Sequence, residues 1–178
     1  MKPERLAREV IYESKWVNLY LDRVRLPNGA VIEQFRFLDF PHPAVTAIVE
    51  NQQGEVIFCR VYRYTTGTNE WELPAGGVEE GESILEAAGR EVLEESGYDS
   101  TGWELLYSFH PQNGSGNKVF HVVICKALEK VGDFDPDEVS ETHWFTPSEI
   151  EQMLKDRYFS DGFTLTALLL WLRHDRSG

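Results

Sequence analysis

Three glutamates, Glu91, Glu94 and Glu95, crowd a segment that follows a glycine-bearing turn. Residues three and four positions apart share one face of a helix, so the three carboxylates converge if this segment is helical. Like charges at this spacing destabilise a helix by about 0.2 to 0.5 kcal/mol per pair, so helix stability does not explain them. Carboxylate oxygens are ligands that Mg²⁺ prefers, commonly together with substrate phosphates. The spacing suggests a metal site for a phosphate substrate, and the alternative is a solvated acidic face.

The segment carries start and stop signals of a helix. Ser83 and Glu86 have the spacing of a capping box, and Gly97 suits the left-handed residue that ends a helix. We therefore predict a helix between Ser83 and Gly97. The apolar stripe beside the acidic one is expected to face the core, and it consists of Leu85, Ala88 and Val92.

This helix and the turn before it carry a set of residues at fixed spacing: Gly76, Glu82, Arg90, Glu91, Val92, Glu94, Glu95, Gly97 and Tyr98. The set resembles the Nudix box. Seven positions of the box each require one residue type. At typical residue frequencies, the probability that all seven match by chance is on the order of 10⁻⁸ per starting position. The order of strands, box and C-terminal helix also resembles the family, which implies the α/β (α+β) class: a Nudix-type α/β/α sandwich with a mixed sheet. The activity implied is hydrolysis of a diphosphate linked to a nucleoside.

The resemblance assigns roles within the box. Arg90 matches the arginine that orients the glutamates, Glu82 matches the supporting glutamate, and Gly76 and Gly77 let the chain approach the metal closely. The implied cofactor is Mg²⁺, with Mn²⁺ as the alternative; such an ion lowers the pKa of a coordinated water. The implied metal ligands are the backbone carbonyl of Ala75 and the carboxylates of Glu91, Glu94 and Glu95.

The general base is expected outside the box. In ADP-ribose hydrolases of this family it lies on a late acidic loop, and the stretch DFDPDEVSETHWF places Glu138 there. Glu141 is the second candidate, and a solvated surface charge is the non-catalytic interpretation of Glu138. We expect Glu138 to act in catalysis together with Glu94 and Arg90.

Features beyond the box resemble the branch that hydrolyses ADP-ribose and other nucleotide sugars. They are Glu72 in ELPAG, Arg63 in VYR, Pro111, and the run FTLTALLLWL. Glu72 and Arg63 are expected to bind the substrate, with Arg63 contacting a phosphate; a surface strand residue is the other interpretation of Arg63. The predicted products are a nucleoside monophosphate and a sugar phosphate. Two alternatives stay open: hydrolysis of nucleoside triphosphates or dinucleoside polyphosphates, and nucleotide binding without turnover.

The N-terminal segment resembles the antiparallel extension of some ADP-sugar hydrolases. We predict an extension over residues 1–40, involved in dimerisation, and a Nudix hydrolase domain over 41–178. Trp16 and Phe35 fall near positions at which relatives stack a nucleobase across a subunit boundary, with Phe37 as the alternative to Phe35 and core packing as the other interpretation of both. The resemblance implies a homodimer.

Composition restricts the partners. The formal net charge of −13 disfavours nucleic acid polymers, and a small nucleoside diphosphate is expected instead. No apolar run approaches the roughly 18 to 20 residues of a membrane span, and we expect a cytoplasmic protein with no membrane partner. Cys59 and Cys125 lie in apolar segments as reduced core thiols.

The remaining pattern predicts strands before and after the box. Turn residues at 27–29 and 51–54 separate strand-like segments between residues 9 and 64, and residues 65–69 read as a loop. Thr146 with Glu149 predicts the start of a second helix. Further segments are strands at 103–110, 118–128 and 142–145, and a closing helix at 163–175.

Overall fold

The computed structural model describes residues 1–174. The chain divides into two compact units: one holds residues 1–43 and 110–119, and the other holds residues 44–109 and the chain from residue 120 onward. Within residues 1–174, no helix is both long enough and apolar enough to cross a bilayer.

Strands β1 (Glu4–Tyr12), β2 (Asn18–Arg25) and β3 (Val31–Asp39) of the N-terminal unit form an antiparallel sheet in that order. Gly29, with φ of 86°, lies in the predicted turn between β2 and β3. The first strand begins earlier than its apolar residues predict. Its charged residues find partners on β2: the Arg8 guanidinium binds Asp22 at 2.7 Å, and Glu4 binds Arg25 at 3.0 Å.

The loop 110–119 belongs to this N-terminal unit. The amide of Leu38 donates to the carbonyl of Ser115 at 2.8 Å, and the Asn117 side chain accepts from the Phe40 amide at 2.7 Å. The same Asn117 side chain donates to Asp39 at 2.6 Å. The loop therefore extends the edge formed by β3 and the residues that follow it.

A mixed sheet organises the second unit. Its main strands run in the order β10-β5-β4-β9-β8, with β4 and β9 parallel and the other pairs antiparallel, while β6 pairs with β5 and β7 with β4. The strands are β4 (Ala44–Glu50), β5 (Val56–Arg63), β6 (Thr68–Glu72), β7 (Ala75–Gly77), β8 (Tyr98–Phe109), β9 (Phe120–Lys130) and β10 (Val139–Phe145).

Helices cover both faces of this sheet: α1 (Ile84–Ser96) on one, and α2 (Pro147–Lys155) and α3 (Gly162–Trp171) on the other. Strand alternation explains the two layers. Val45 and Val49 of β4 pack with α1, whereas Ile48 packs with the opposite cluster, which includes Trp171. The predicted α/β/α sandwich with a mixed sheet is confirmed.

The predicted helices form, with one correction to a buried face and one to a helix end. Both predicted capping boxes form, and Gly97 ends α1 with φ of 75°. Leu85 is 39% exposed and so does not face the core as predicted. Ala87 is buried in its place, beside Ala88. The closing helix ends at Trp171, short of the predicted Asp175, which lies outside the described residues.

The segment before the box is more regular than its glycines predict. Strands β4 and β5 pair at Glu50 and Val56, and each then takes a different neighbour. Strand β7 runs beside residues 44–46 of β4, and β6 runs beside residues 59–63 of β5. This divergence brings the turn at Ala75 into the sheet, against α1.

Candidate active site

Helix α1 and strand β7 bring two acidic side chains into a buried position. Glu91 and Glu95 are only 8% and 7% exposed. The amide of Ala75 donates to Oε2 of Glu95 at 3.2 Å. A Cβ atom on Gly76 would overlap the carboxylate of Glu91, so glycine is required for this close approach.

Arg90 joins the other acidic groups of the box. Its Nε and Nη2 atoms donate to the two carboxylate oxygens of Glu82 at 3.0 and 3.1 Å. Its Nη1 atom donates to Glu91 at 2.8 Å and to Glu94 at 3.1 Å. Its Nη2 atom also reaches the carbonyl oxygen of Gly77 at 2.9 Å. These bonds raise the pKa of Arg90, that to Glu82 most, and lower the pKa of Glu82.

Negative charge accumulates around the buried carboxylates. Burial raises the pKa of Glu95 to about 8, although the Ala75 amide opposes the shift. Burial also raises the pKa of Glu91, against the bond from Arg90. The negative charge of Glu138 raises the pKa values of both groups. Glu138 belongs to the loop in which the amide of Asp135 donates to the carbonyl of Glu94, so this loop lies against the helix that carries the two buried carboxylates.

The chemistry of these donors fits a hard divalent cation. Carboxylate and carbonyl oxygens are suitable ligands, and an ion among them would offset the repulsion between the acidic groups. Glu91 and Glu94 each bind Arg90 through one oxygen, and a carboxylate has a second acceptor oxygen. Within residues 1–174, no three His, Cys, Asp or Glu side chains are already arranged around one common point for an ion.

Arg63 and Glu72 form a pair on neighbouring strands β5 and β6. Nη2 of Arg63 donates to Glu72 at 2.6 Å; the glutamate is buried, whereas about half of the arginine side chain is exposed. This bond raises the pKa of Arg63. The positive charge of Arg63 partly opposes the rise in the pKa of Glu95 that burial causes. The pair thus gives both residues a structural role.

The predicted aromatic residues lie in the N-terminal unit. Trp16 is 70% exposed, with Nζ of Lys15 lying 4.5 Å from its ring centroid. Phe35 is half-buried, whereas Phe37 already packs against Tyr20, with ring centroids 6.1 Å apart. Their proximity to the carboxylates stays a prediction, since those belong to the other unit.

Sequence reasoning misses some backbone contacts of the site. The carbonyl of Gly77 accepts from Arg90, and the carbonyl of Glu94 accepts from the amide of Asp135 at 2.8 Å. Every residue carries a backbone carbonyl, so the residue types do not reveal which carbonyl accepts a hydrogen bond. The second candidate base, Glu141, lies on β10 opposite Arg60.

The matches with known proteins agree with this fold and site. The NUDIX domain model matches residues 40–166, and the model of the nucleoside diphosphate sugar hydrolase N-terminal domain matches residues 4–37. The chain belongs to the Nudix family. It is a hydrolase of pyrophosphate bonds, related to ADP-ribose pyrophosphatases.

Its similarity to particular relatives extends over nearly the whole chain. An ADP-ribose pyrophosphatase of Bacillus subtilis is 27% identical over 94% of this chain and 91% of the relative. A methanol dehydrogenase activator of Bacillus methanolicus is 29% identical over 92% and 89%. A solved ADP compounds hydrolase has a TM-score of 0.85 at 21% identity, over 97% of this chain and 95% of that one, which supports the fold.

Proposed function

We propose that this protein hydrolyses the diphosphate of ADP-ribose or a related nucleoside diphosphate sugar, with Mg²⁺ as its cofactor and Mn²⁺ as the alternative. The observation that carries the proposal is the convergence of Glu91 and Glu95 on the turn at Ala75 and Gly76. The similarity to an ADP-ribose pyrophosphatase over 94% of the chain supports the substrate class.

The ion would be held by the box carboxylates and the carbonyl of Ala75. Mg²⁺ bound there would polarise phosphorus, screen the incoming nucleophile and lower the pKa of water. Arg90 orients the glutamates through the bonds to Glu82, Glu91 and Glu94. The proposed ligands are Ala75, Glu91, Glu94 and Glu95.

Glu138 acts as the general base in this proposal. It accepts a proton from the attacking water, whose oxygen forms a bond to one phosphorus atom. The bond from that phosphorus to the bridging oxygen breaks, and the leaving phosphate keeps the electron pair. The products are a nucleoside monophosphate and a sugar phosphate. Arg63 contacts a substrate phosphate, while Glu72 holds Arg63 in place.

Trp16 and Phe35 stack on the nucleobase across the boundary of a homodimer in this proposal. The exposed indole of Trp16 and the strand match over residues 4–37 support it. Phe35 is preferred to Phe37 because the latter packs against Tyr20. Size-exclusion chromatography with light scattering tests the dimer, and Trp16→Ala is expected to raise KM with little change in the Mg²⁺ requirement. A monomer that keeps full activity would contradict the shared site.

A cytoplasmic location also belongs to the proposal, supported by the buried free thiols of Cys59 and Cys125.

The deciding experiment is a hydrolysis panel with Mg²⁺, in which products are separated by chromatography. It includes ADP-ribose, other nucleotide sugars, nucleoside triphosphates and dinucleoside polyphosphates. AMP and ribose 5-phosphate from ADP-ribose are expected. Hydrolysis of triphosphates alone would overturn the substrate class, and binding without product would overturn the enzymatic proposal.

A further inference from the structure

The loop between β9 and β10 is bonded to the C-terminal end of α1. The carbonyl of Gly97 accepts from the amides of Val131 and Gly132 at 2.9 and 3.2 Å. A Cβ atom on Gly97 would overlap the carbonyl of Gly132, so this contact requires glycine. The last carbonyls of a helix lack partners within it. The loop supplies partners at this end and is thereby fixed to the helix that carries the box glutamates.

Asp135 takes part in four hydrogen bonds, one to α1 and three within its own turn. Its amide donates to the carbonyl of Glu94 at 2.8 Å. Its own carbonyl accepts from the amides of Glu138 and Val139 at 3.2 and 2.9 Å. Its Oδ1 atom accepts from the amide of Asp137 at 2.9 Å, which forms an Asx turn. Asp135 therefore connects α1 to the turn that ends at Glu138.

Apolar packing also stabilises this turn. Val139 is buried with Cys59 and Val61, and the half-buried Phe134 packs against them. The thiol of Cys59 donates to the carbonyl of Glu95 at 3.4 Å. The residues on both sides of the turn thus have fixed positions. By contrast, Glu138 is exposed, so the position of its side chain depends on the backbone of the turn.

We propose that Asp135 is a positioning residue for hydrolysis, because its side chain closes the turn that presents Glu138 to the buried carboxylates of the box. This inference rests on the proposed function, in which Glu138 accepts the proton of the attacking water. Removal of the Asp135 carboxylate leaves the backbone bond to Glu94 and releases the amide of Asp137. The turn then has more freedom, and Glu138 spends less time in a productive position.

The test compares kcat and KM for ADP-ribose hydrolysis with Mg²⁺ in full-length variants. Asp135→Ala should lower kcat about tenfold or more, a part of the 10²- to 10⁴-fold contribution of a general base, and should leave KM within about twofold. Asp135→Asn keeps an oxygen acceptor for the turn and should retain most of the parental kcat. The exposed Asp133 provides the control: Asp133→Ala removes a charge from the same loop and should change neither constant.

A parental kcat in Asp135→Ala overturns the inference. If Asp135→Asn loses as much kcat as Asp135→Ala, the inference is also overturned, because the effect would then come from the negative charge and not from the turn. A loss that falls on KM alone also overturns it. Glu138→Gln and the double variant give a separate readout: residues that act through one another are not additive, so adding Asp135→Ala should slow Glu138→Gln by less than about twofold. A further tenfold loss in the double variant would contradict action through Glu138.

The same variants separate this inference from the proposed function. If the parent hydrolyses no nucleotide sugar, or if Glu138→Gln keeps parental kcat, the proposed function or its base assignment fails and the inference falls with it. If Glu138→Gln is slow while Asp135→Ala is not, the inference alone fails.

Discussion

The guanidinium of Arg90 holds the carboxylate of Glu82 through two parallel hydrogen bonds of 3.0 and 3.1 Å. A planar guanidinium makes such a pair and still donates from its remaining nitrogen, whereas a lysine ammonium is a point charge. We predict that Arg90→Lys weakens the apparent affinity for Mg²⁺ in hydrolysis about 10- to 100-fold, as expected when a group supporting metal ligands is lost. Titration of activity with Mg²⁺ measures the change. The exposed Arg173→Lys is the control, and an unchanged Mg²⁺ titration in Arg90→Lys would refute the orienting role.

The buried carboxylates should make hydrolysis depend on a divalent cation. EDTA is expected to abolish turnover and added Mg²⁺ to restore it. Glu95→Gln or Glu94→Gln should lower kcat at least about 100-fold, the scale of losing one group that stabilises developing charge. The exposed Glu80→Gln is the matched control. Activity that persists in EDTA would exclude the proposed cofactor role.

Neighbouring glycines of β7 offer a steric test. A Cβ atom at position 76 would overlap the Glu91 carboxylate, whereas one at Gly77 meets no other atom within 4 Å. We expect Gly76→Ala to lower kcat about 10- to 100-fold, because small displacements of catalytic groups are costly. Gly77→Ala should keep the parental rate. Similar kinetics in the two variants would show that the close approach to Glu91 has no part in turnover.

The pair of Arg63 and Glu72 predicts a coupled loss of stability. Arg63→Ala leaves a buried carboxylate without its cation, and the free energy of unfolding should fall by about 1 to 3 kcal/mol. In a Glu72→Gln background the same change should cost clearly less, because the buried group is then neutral. Urea unfolding of the four proteins in this cycle measures the coupling. Equal losses in both backgrounds would mean that the pair contributes no stability.

Asp22 gives a pH-dependent contribution to the N-terminal unit. Its hydrogen bond with Arg8 lowers its pKa from the ordinary 3.8. A group with a lowered folded pKa stabilises fully above its unfolded value, and that stability is lost as pH falls through the lower folded value. The difference in unfolding free energy between the parent and Asp22→Asn should therefore be constant above about pH 5 and shrink below pH 3.8. Circular dichroism during urea unfolding at each pH measures it, and a difference that grows in acid would contradict the assigned shift.

Local signals predict the elements of this fold well and their spatial neighbours less well. The capping boxes at Ser83 and Thr146 and the terminal Gly97 depend on residues only a few positions apart, so the sequence reveals them directly. The strands at β6 and β7 depend on the divergence of β4 and β5, a tertiary effect that no short window contains. The apolar spacing predicts Leu85 in the core, but the buried face of the helix includes Ala87 in its place.

The candidate site shows the same division. Helical spacing alone predicts that Glu91 and Glu95 share a face, and both are buried. The same spacing does not predict that Glu94 is more exposed, since exposure depends on the sheet beneath the helix. The link from Glu94 to Asp135 is a backbone hydrogen bond between residues far apart in the chain, and the identity of the two side chains does not predict it.

The loop 110–119 also has a consequence for the exchange of N-terminal segments between relatives. Leu38, Asp39 and Phe40 all bond to this loop, which comes from the middle of the chain. A chimera that replaces residues 1–43 alone would join a foreign strand edge to the native Asn117. Exchange of the N-terminal sheet between relatives therefore requires two separate stretches of sequence to change together. Recombination at a single crossover point within the intervening chain would separate the sheet from the loop that bonds to it.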